Sequence, residues 1–385
     1  MALDLSGRAL DRLAGSRILV WCERASWRVA GLEPWRRAIY TACRAGFERM
    51  VVVADGGAET IRAELGGDPH LDGIDWEALS ASEGWEHRLA QDGRRWVVLS
   101  DRWIVEATHL RDLAETSGEP VAASARGPLA ADAADIAALA AGGWKPSRLP
   151  SRAPRALDTP PLYVSVNTPA EVGAAEDALF QSLARNTTNL FSRYVDRAMS
   201  RAISRLLAPY PVTPNQITIF SIVLGIVGAF CLLRPTYSFG LLGAFLFLAS
   251  TVIDGCDGEI ARLKFQESAE GARLDVIGDN VVHAFLFPCV ALHAYYAHPD
   301  GPYLWLGAIA LVGVIVTWLV VYVVLVRDRP SARAQAVFEL FGNREFAYLF
   351  FFLALIGKLH WFVWCMAFGL WAFPLALLGT RVMER

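Results

Sequence analysis

Up to about residue 200 charged and apolar positions are interspersed, whereas from about residue 213 onward apolar runs of bilayer length recur. Six runs are candidate membrane spans, at 215–233, 239–260, 276–297, 303–326, 346–358 and 361–379; a helix needs about 20 residues to cross. The fifth is short and only GKLH separates it from the sixth, so the two read as a hairpin. In the first 160 residues the pattern changes. RILVW (17–21) reads as a short buried strand, 33–46 as a helix, RMVVVADGG as a strand ending in a turn, AETIRAEL as a helix and RRWVVLSDRW as a strand. Strands alternating with helices argue for a parallel, Rossmann-like α/β sheet.

Between these parts lie two segments of another character. The stretch 117–161 is rich in Ala, Gly, Pro and Ser and reads as the loose end of a domain running into a linker. In LFSRYVDRAMSRAISRLLAPY, Arg193, Arg197, Arg201 and Arg205 recur every four residues, while Leu190, Phe191, Tyr194, Ala198, Ile203 and Leu206 supply an apolar side. Such a helix suits the surface of an anionic leaflet, with an ordinary solvated face as the alternative. The expected organisation is a cytoplasmic α/β domain (1–160), a linker (161–189), an interfacial helix (190–210) and a six-helix membrane domain (211–385).

Composition agrees with a soluble part joined to a membrane part, since 54% of residues are hydrophobic yet 19% are charged. A net charge of −3 gives no argument for nucleic-acid binding. The six cysteines are scattered without zinc-ribbon or redox spacing, so no disulfide framework is expected. The N-terminal MALDLSGRALDRLAGSR lacks an apolar core of the signal-peptide type, which keeps the first domain in the cytoplasm. Arg262, Lys264, Arg273, Arg327, Arg329, Arg333 and Arg344 fall in one set of inter-span loops and only Arg234 and Lys358 in the other. By the positive-inside rule both termini face the cytoplasm of a cell-membrane protein.

One segment stands out against this pattern. DGCDGEIARLKFQESAEGARLDVIGDN (254–280) places four aspartates between the apolar runs GLLGAFLFLASTVI and VVHAFLFPCVALHAYYA. A charge inside a membrane costs about 2.5–3.5 kcal/mol on insertion scales. Asp254 and Asp257 are three apart, and Asp275 and Asp279 four apart, so each pair shares a helix face. Two antiparallel helices with a short loop would bring the pairs together, and carboxylates that close repel unless protonated or neutralised. A divalent metal is the usual solution, and oxygen ligands suit Mg2+, Mn2+ or Ca2+ rather than zinc. Such metals clamp phosphates in phosphoryl transfer. Gly258 and Gly271 would permit close approach of a ligand, and Arg262 adds a positive fork for phosphate. Spacing alone leaves two other readings open: salt bridging to Arg262, Lys264 and Arg273, or an ion pathway as in a transporter.

The run D-x2-D-G-x2-A-R-x8-G-x3-D-x3-D, from Asp254 to Asp279, matches without a gap the signature of the CDP-alcohol phosphotransferase family. VTPNQIT (212–218) also resembles that family's entry to its first span, and the resemblance covers roughly 176–385. It implies an integral-membrane transferase with a two-metal Mg2+ or Mn2+ site held by Asp254, Asp257, Asp275 and Asp279, with Asp279 also the general base on the acceptor hydroxyl. It further implies that Gly258, Ala261 and Gly271 line the cytidine pocket, that Arg262 contacts the phosphates and that Asn215 faces the nucleotide. The partners would be a CDP-alcohol donor, an alcohol acceptor and the lipid bilayer, with CMP as product and a homodimer as the assembly. CDP-diacylglycerol, in phospholipid biosynthesis, is the first expectation for the donor. Lys264, Arg333 and Arg344 could attract a phosphorylated polyol acceptor or serve only as positive-inside charges. His283, one turn past Asp279, reads as a packing histidine, and Cys256 points off the ligand face.

The first domain resembles nucleotidylyltransferases of the sugar-phosphate type, through AGLEPWRRAIYTACRAGFERMVVVADG and WVVLSDRW. Fusions of an inositol-phosphate cytidylyltransferase to a CDP-alcohol phosphotransferase, which make and use CDP-inositol as in a di-inositol-phosphate phosphate synthase, have this order; a CDP-inositol donor is therefore the second expectation. The phosphate loop of that family departs here, since the position after the first strand reads VWCERASWRVAG without paired glycines. The departure points to a degenerate domain that docks, dimerises or regulates, with an active cytidylyltransferase as the alternative. Asp101 is left as either a metal ligand or a turn aspartate.

Overall fold

A computed structural model of the chain describes residues 13–85, 89, 94–115, 121–122, 128–133, 136, 155–156, 163–183, 197–321 and 346–383. It divides into two compact units: Met1–Asn186 with Leu207–Pro211 and Ala261–Ser268, and Thr187–Leu206 with Val212–Ile260 and Ala269–Arg385.

The first unit is built on β1 (Leu13–Cys22), α1 (Pro34–Ala45), β2 (Phe47–Ala54), α2 (Ala58–Leu65), β3 (Asp75–Ser80), β4 (Arg95–Ser100), β5 (Trp103–Val105), α3 (Ala107–Glu115), β6 (Val121–Ala122), β7 (Leu129–Asp132), β8 (Arg155–Ala156), β9 (Tyr163–Ser165) and α4 (Val172–Leu183). The sheet runs β3-β2-β1-β4-β7-β6-β8, with β3, β2, β1 and β4 parallel and β7 antiparallel to β4. β1 alternates its two faces in the way a strand must. Ile18, Val20 and Cys22 join the core under α1, while Leu19 and Trp21 pack with Val51, Val53, Trp85 and Trp96 on the other face. Along α1, Trp35, Ala38, Ile39, Ala42 and Cys43 are buried at the i, i+3, i+4, i+7, i+8 spacing of a core-facing helix. Pro34 opens the helix, and Gly46, with φ 89, ends it in a left-handed turn.

The expected α/β class is thus present, with three differences of detail. β3 was not expected from DWEALS, which joins as an edge strand beside β2. The stretch expected to be loose contributes β6, β7 and β8; the small residues Ala130 and Ala131 have little strand propensity but are buried by pairing with β4. The stretch expected as a linker, 161–189, contains β9 and α4, and Phe180 of α4 is fully buried. All six cysteines are free thiols.

The second unit holds α5 (Arg197–Leu207, of which Arg197–Leu206 lie in this unit), α6 (Pro214–Cys231), α7 (Tyr237–Lys264, in this unit to Ile260), α8 (Ala269–Ala297), α9 (Tyr303–Val321), α10 (Phe346–Leu355) and α11 (Leu359–Met383). Four helices are long and apolar enough to cross a membrane: Pro214–Cys231, Tyr237–Lys264, Ala269–Ala297 and Leu359–Gly379. Shorter apolar helices cover Tyr303–Thr317 and Phe346–Leu355, so the described residues give four spans where six were expected.

α6 begins with a capping box, the Thr213 hydroxyl accepting from Gln216 N and the Gln216 amide oxygen from Thr213 N. Small residues then let α6 approach α7 closely, as in membrane helix pairs. A Cβ on Gly228 would lie 2.9 Å from the Gly243 carbonyl oxygen, and one on Gly243 would lie 2.7 Å from that of Gly228. In α5 the buried edge is Ser200 and Ser204, while Leu206 is exposed; Leu190, Phe191, Arg193 and Tyr194 of the expected interfacial helix lie outside the described residues.

Candidate functional site

The motif occupies two helices longer than the spans expected of them. α7 runs on to Lys264 and α8 begins at Ala269, so only four residues separate them. Asp254 and Asp257 sit near the C-terminal end of α7 and Asp275 near the N-terminal end of α8. One carboxylate oxygen from each of the three lies within 4.8 Å of the others, and among the described residues this is the group able to hold a metal ion.

Residues of α6 shape this cluster. The Thr218 hydroxyl donates to Asp257 Oδ2. Ser221 Oγ lies 3.4 Å from Asp254 Oδ1 and 2.8 Å from the Thr218 carbonyl oxygen. Ser250 Oγ donates to the Ser221 carbonyl oxygen over 2.7 Å, tying α7 back to α6. Sequence reasoning passed over Thr218 and Ser221, although two hydroxyls three residues apart in an apolar run were a signal for a polar helix face.

Three carboxylates this close, with Asp254 buried, need neutralisation. The donor set is oxygen only, which fits a hard divalent cation such as Mg2+ or Mn2+ and does not fit the nitrogen and sulfur preference of zinc. Asp254, Asp257 and Asp275 would hold it. Asp279 lies one turn further along α8, half-buried and outside the three-residue group. His283, a further turn on, stacks on Phe287 at 5.3 Å between centroids and faces Phe346 at 5.6 Å, an aromatic packing position. Cys256 is buried and its thiol is 3.4 Å from the Ser200 carbonyl oxygen, while Ser200 Oγ donates to buried Glu259 over 2.7 Å.

The remaining expected residues fall as follows. Gly258 follows Asp257 directly and its amide donates to Asp257 Oδ1. Ala261 is buried, and Arg262 and Gly271 are half-buried. Asn215 is exposed in the first turn of α6. Lys264 Nζ donates to the Tyr210 carbonyl oxygen over 2.6 Å. Arg333 and Arg344 lie outside the described residues.

In the first unit, Asp101 sits past the carboxyl end of β4, beside that of β1, where open α/β sheets bind their ligands. Its Oδ2 accepts the backbone amides of Glu23 and Arg24, each at 3.0 Å, and so closes the loop that follows β1. Burial pushes its carboxyl up to about 6, against the pull of those amides and of Arg102. Arg102 Nε in turn reaches Glu23 Oε2 at 3.2 Å and lies over the Trp27 ring. Of the two expected readings of Asp101, the loop-closing one describes these contacts.

Comparison with known proteins adds a family. Residues 211–382 match the CDP-alcohol phosphatidyltransferase family. Curated relatives include three proteins called bifunctional IPC transferase and DIPP synthase. The one from Thermococcus kodakarensis is 34% identical over 152 residues, covering 39% of this chain and 33% of that protein. The one from Archaeoglobus fulgidus is 36% identical over 132 residues, covering 34% and 26%. That from Aquifex aeolicus is 30% identical over 135 residues, covering 34% and 30%. The matched segment thus spans about a third or less of each relative.

Proposed function

Taking residues 211–382 as a CDP-alcohol phosphatidyltransferase domain, a transferase, we propose that the chain moves a phospho-alcohol group from a CDP-alcohol to an alcohol acceptor and releases CMP. The observation that carries this reading is the convergence of Asp254, Asp257 and Asp275 from two helices on one point. A divalent cation bound there supplies neutralisation of the donor's diphosphate. Asp279, one turn past Asp275 on the same helix, takes the proton of the acceptor hydroxyl. The acceptor oxygen bonds to the phosphorus bearing the alcohol, the bond from that phosphorus to the bridging oxygen breaks, and CMP leaves with the bridging oxygen. Gly258, Ala261 and Gly271 leave room for the nucleotide and Asn215 borders it. Arg262, two turns past Asp254 on α7, offers positive charge to phosphate.

The donor we favour is CDP-inositol or a similar CDP-polyol. The relatives' shared name, which includes DIPP synthase, supports it over CDP-diacylglycerol. The closed loop at Asp101 argues that this domain does not itself make the donor. The proposed setting is a six-span homodimer in the cell membrane, with both termini and the carboxylates on the cytoplasmic side.

The test is a screen of CDP-inositol and CDP-diacylglycerol against polyol and polyol-phosphate acceptors with Mg2+ or Mn2+, reading CMP. CMP from CDP-inositol supports the full reading, and CMP from CDP-diacylglycerol alone overturns the donor choice. No CMP from either, with metal-independent ion flux in vesicles, overturns the enzyme.

A further inference from the structure

The turn between the two carboxylate-bearing helices belongs to the α/β unit, within the segment Ala261–Ser268. Its first residue is Phe265, only 8% exposed and part of the hydrophobic core that also contains Ile18, Trp35, Ile39 and Tyr40. The ring is gripped from several sides. The Arg44 guanidinium lies 4.4 Å from its centroid and that of Arg37 lies 5.7 Å away. Tyr40 packs at 5.6 Å. The Phe265 carbonyl oxygen can only accept, so His70 Nε2, 2.6 Å away, donates to it, with Asp68 on the imidazole's other nitrogen at 2.7 Å. Arg44 also pairs with Glu267, two residues on.

The backbone shows that this arrangement is held against a preference. Phe265 has φ 58, one of three non-glycine residues in the left-handed region among the described residues. It follows the last residue of α7, where Gln266 N bonds back to the Ala261 carbonyl oxygen. That is the place in a helix end where glycine is the default. A large side chain in such a conformation persists only where its surroundings over-determine it. The ring buried between two guanidinium groups is what does so.

We propose that Phe265 is a positioning residue, the anchor through which the α/β unit sets the spacing between the Asp254/Asp257 pair and Asp275. α7 and α8 leave this turn directly, so an anchored turn limits how far the two carboxylate-bearing helix ends can part. The degenerate domain then has a use that does not require it to bind a nucleotide. The inference rests on the reading above only in taking the three carboxylates as a metal site.

The test uses the full chain in detergent and the variant Phe265→Gly, which removes the ring while relieving the backbone. Glycine costs the α/β core a buried ring on any reading, so the proposal is judged at the carboxylate-bearing helices and not by overall stability. The anchor predicts about tenfold faster amide exchange across residues 257–275 and about tenfold weaker Mn2+ binding, read by the EPR signal of free Mn2+. Phe265→Tyr keeps the ring and should restore both. Arg44→Glu should weaken Mn2+ binding, and adding Glu267→Arg should recover part of it. Exchange and Mn2+ affinity within about twofold of wild type in Phe265→Gly overturn the proposal. Both readouts are independent of turnover. A wild-type protein that binds Mn2+ but releases no CMP would sink the transferase reading and leave the anchor to be judged on the same comparison.

Discussion

Thr218 donates its hydroxyl hydrogen to Asp257 Oδ2, joining α6 to the carboxylate cluster of α7 and α8. A hydrogen bond to a charged group contributes about 1.5–3 kcal/mol. Here it also aims the carboxylate. Thr218→Val keeps the shape and removes the donor, and should weaken Mn2+ binding and slow CMP release by about tenfold. Thr218→Ser should retain both. Titration of Mn2+ against the three proteins checks this, and equal affinities would mean that the contact does not shape the site.

Asp279→Asn separates holding a metal from moving a proton. Because Asp279 lies outside the three-carboxylate group, Mn2+ affinity should fall little while turnover drops by about 100-fold or more. Near-normal turnover would remove Asp279 from the role of base.

The contacts of α6 with α7 and with α8 give a contrast between two glycines. Gly228→Ala would place a Cβ 2.9 Å from the backbone oxygen of Gly243, which cannot swing away, and should cost about 1–3 kcal/mol. Gly278→Ala, on α8, meets only side-chain atoms of Ile222, Cδ1 at 2.3 Å and Cγ1 at 2.6 Å, which can turn away where a backbone oxygen cannot, and should cost less. Thermal unfolding in detergent ranks the two, and the reverse order would contradict this packing.

These positions also show what could be read from the chain alone. The aspartate spacing fixed both helix faces, because residues three or four apart on a helix meet without any tertiary knowledge. The strand–helix alternation around α1 and α2 was equally local. Thr218 and Ser221 marked a polar helix face, but such a face reads as tolerated packing until a partner 39 residues away is known. Phe265 was hidden for the same reason at longer range, since its partners Arg44 and His70 lie some two hundred residues upstream. β7 gave little strand signal because LAAD becomes a strand only by pairing with β4.

Asp101 gives a pH dependence with a defined sign. Burial raises its carboxyl from 3.8 to about 6 in the fold, so protonation favours the folded state. This contribution is complete below pH 3.8 and is lost as pH rises through about 6. At about 1.36 kcal/mol per unit the loss is on the order of 3 kcal/mol. Asp101→Asn still accepts the amides of Glu23 and Arg24 and should abolish that loss, whereas Asp101→Ala leaves both amides without their acceptor and should destabilise at every pH. Amide exchange of β1 and β4 in the full chain between pH 4 and 7 reads this, and parallel profiles for wild type and Asp101→Asn would contradict it.

The central claim is that carboxylates converging from α7 and α8 hold a divalent cation needed for transfer from a CDP-alcohol. Its most direct test is CMP release by the purified full chain after chelation and on back-titration with Mg2+ or Mn2+, in wild type and Asp254→Asn. The account predicts no release after chelation, recovery with added metal in wild type, and a loss of about 100-fold or more in Asp254→Asn at every metal concentration. CMP release that persists through chelation, or that Asp254→Asn leaves unchanged, would contradict it.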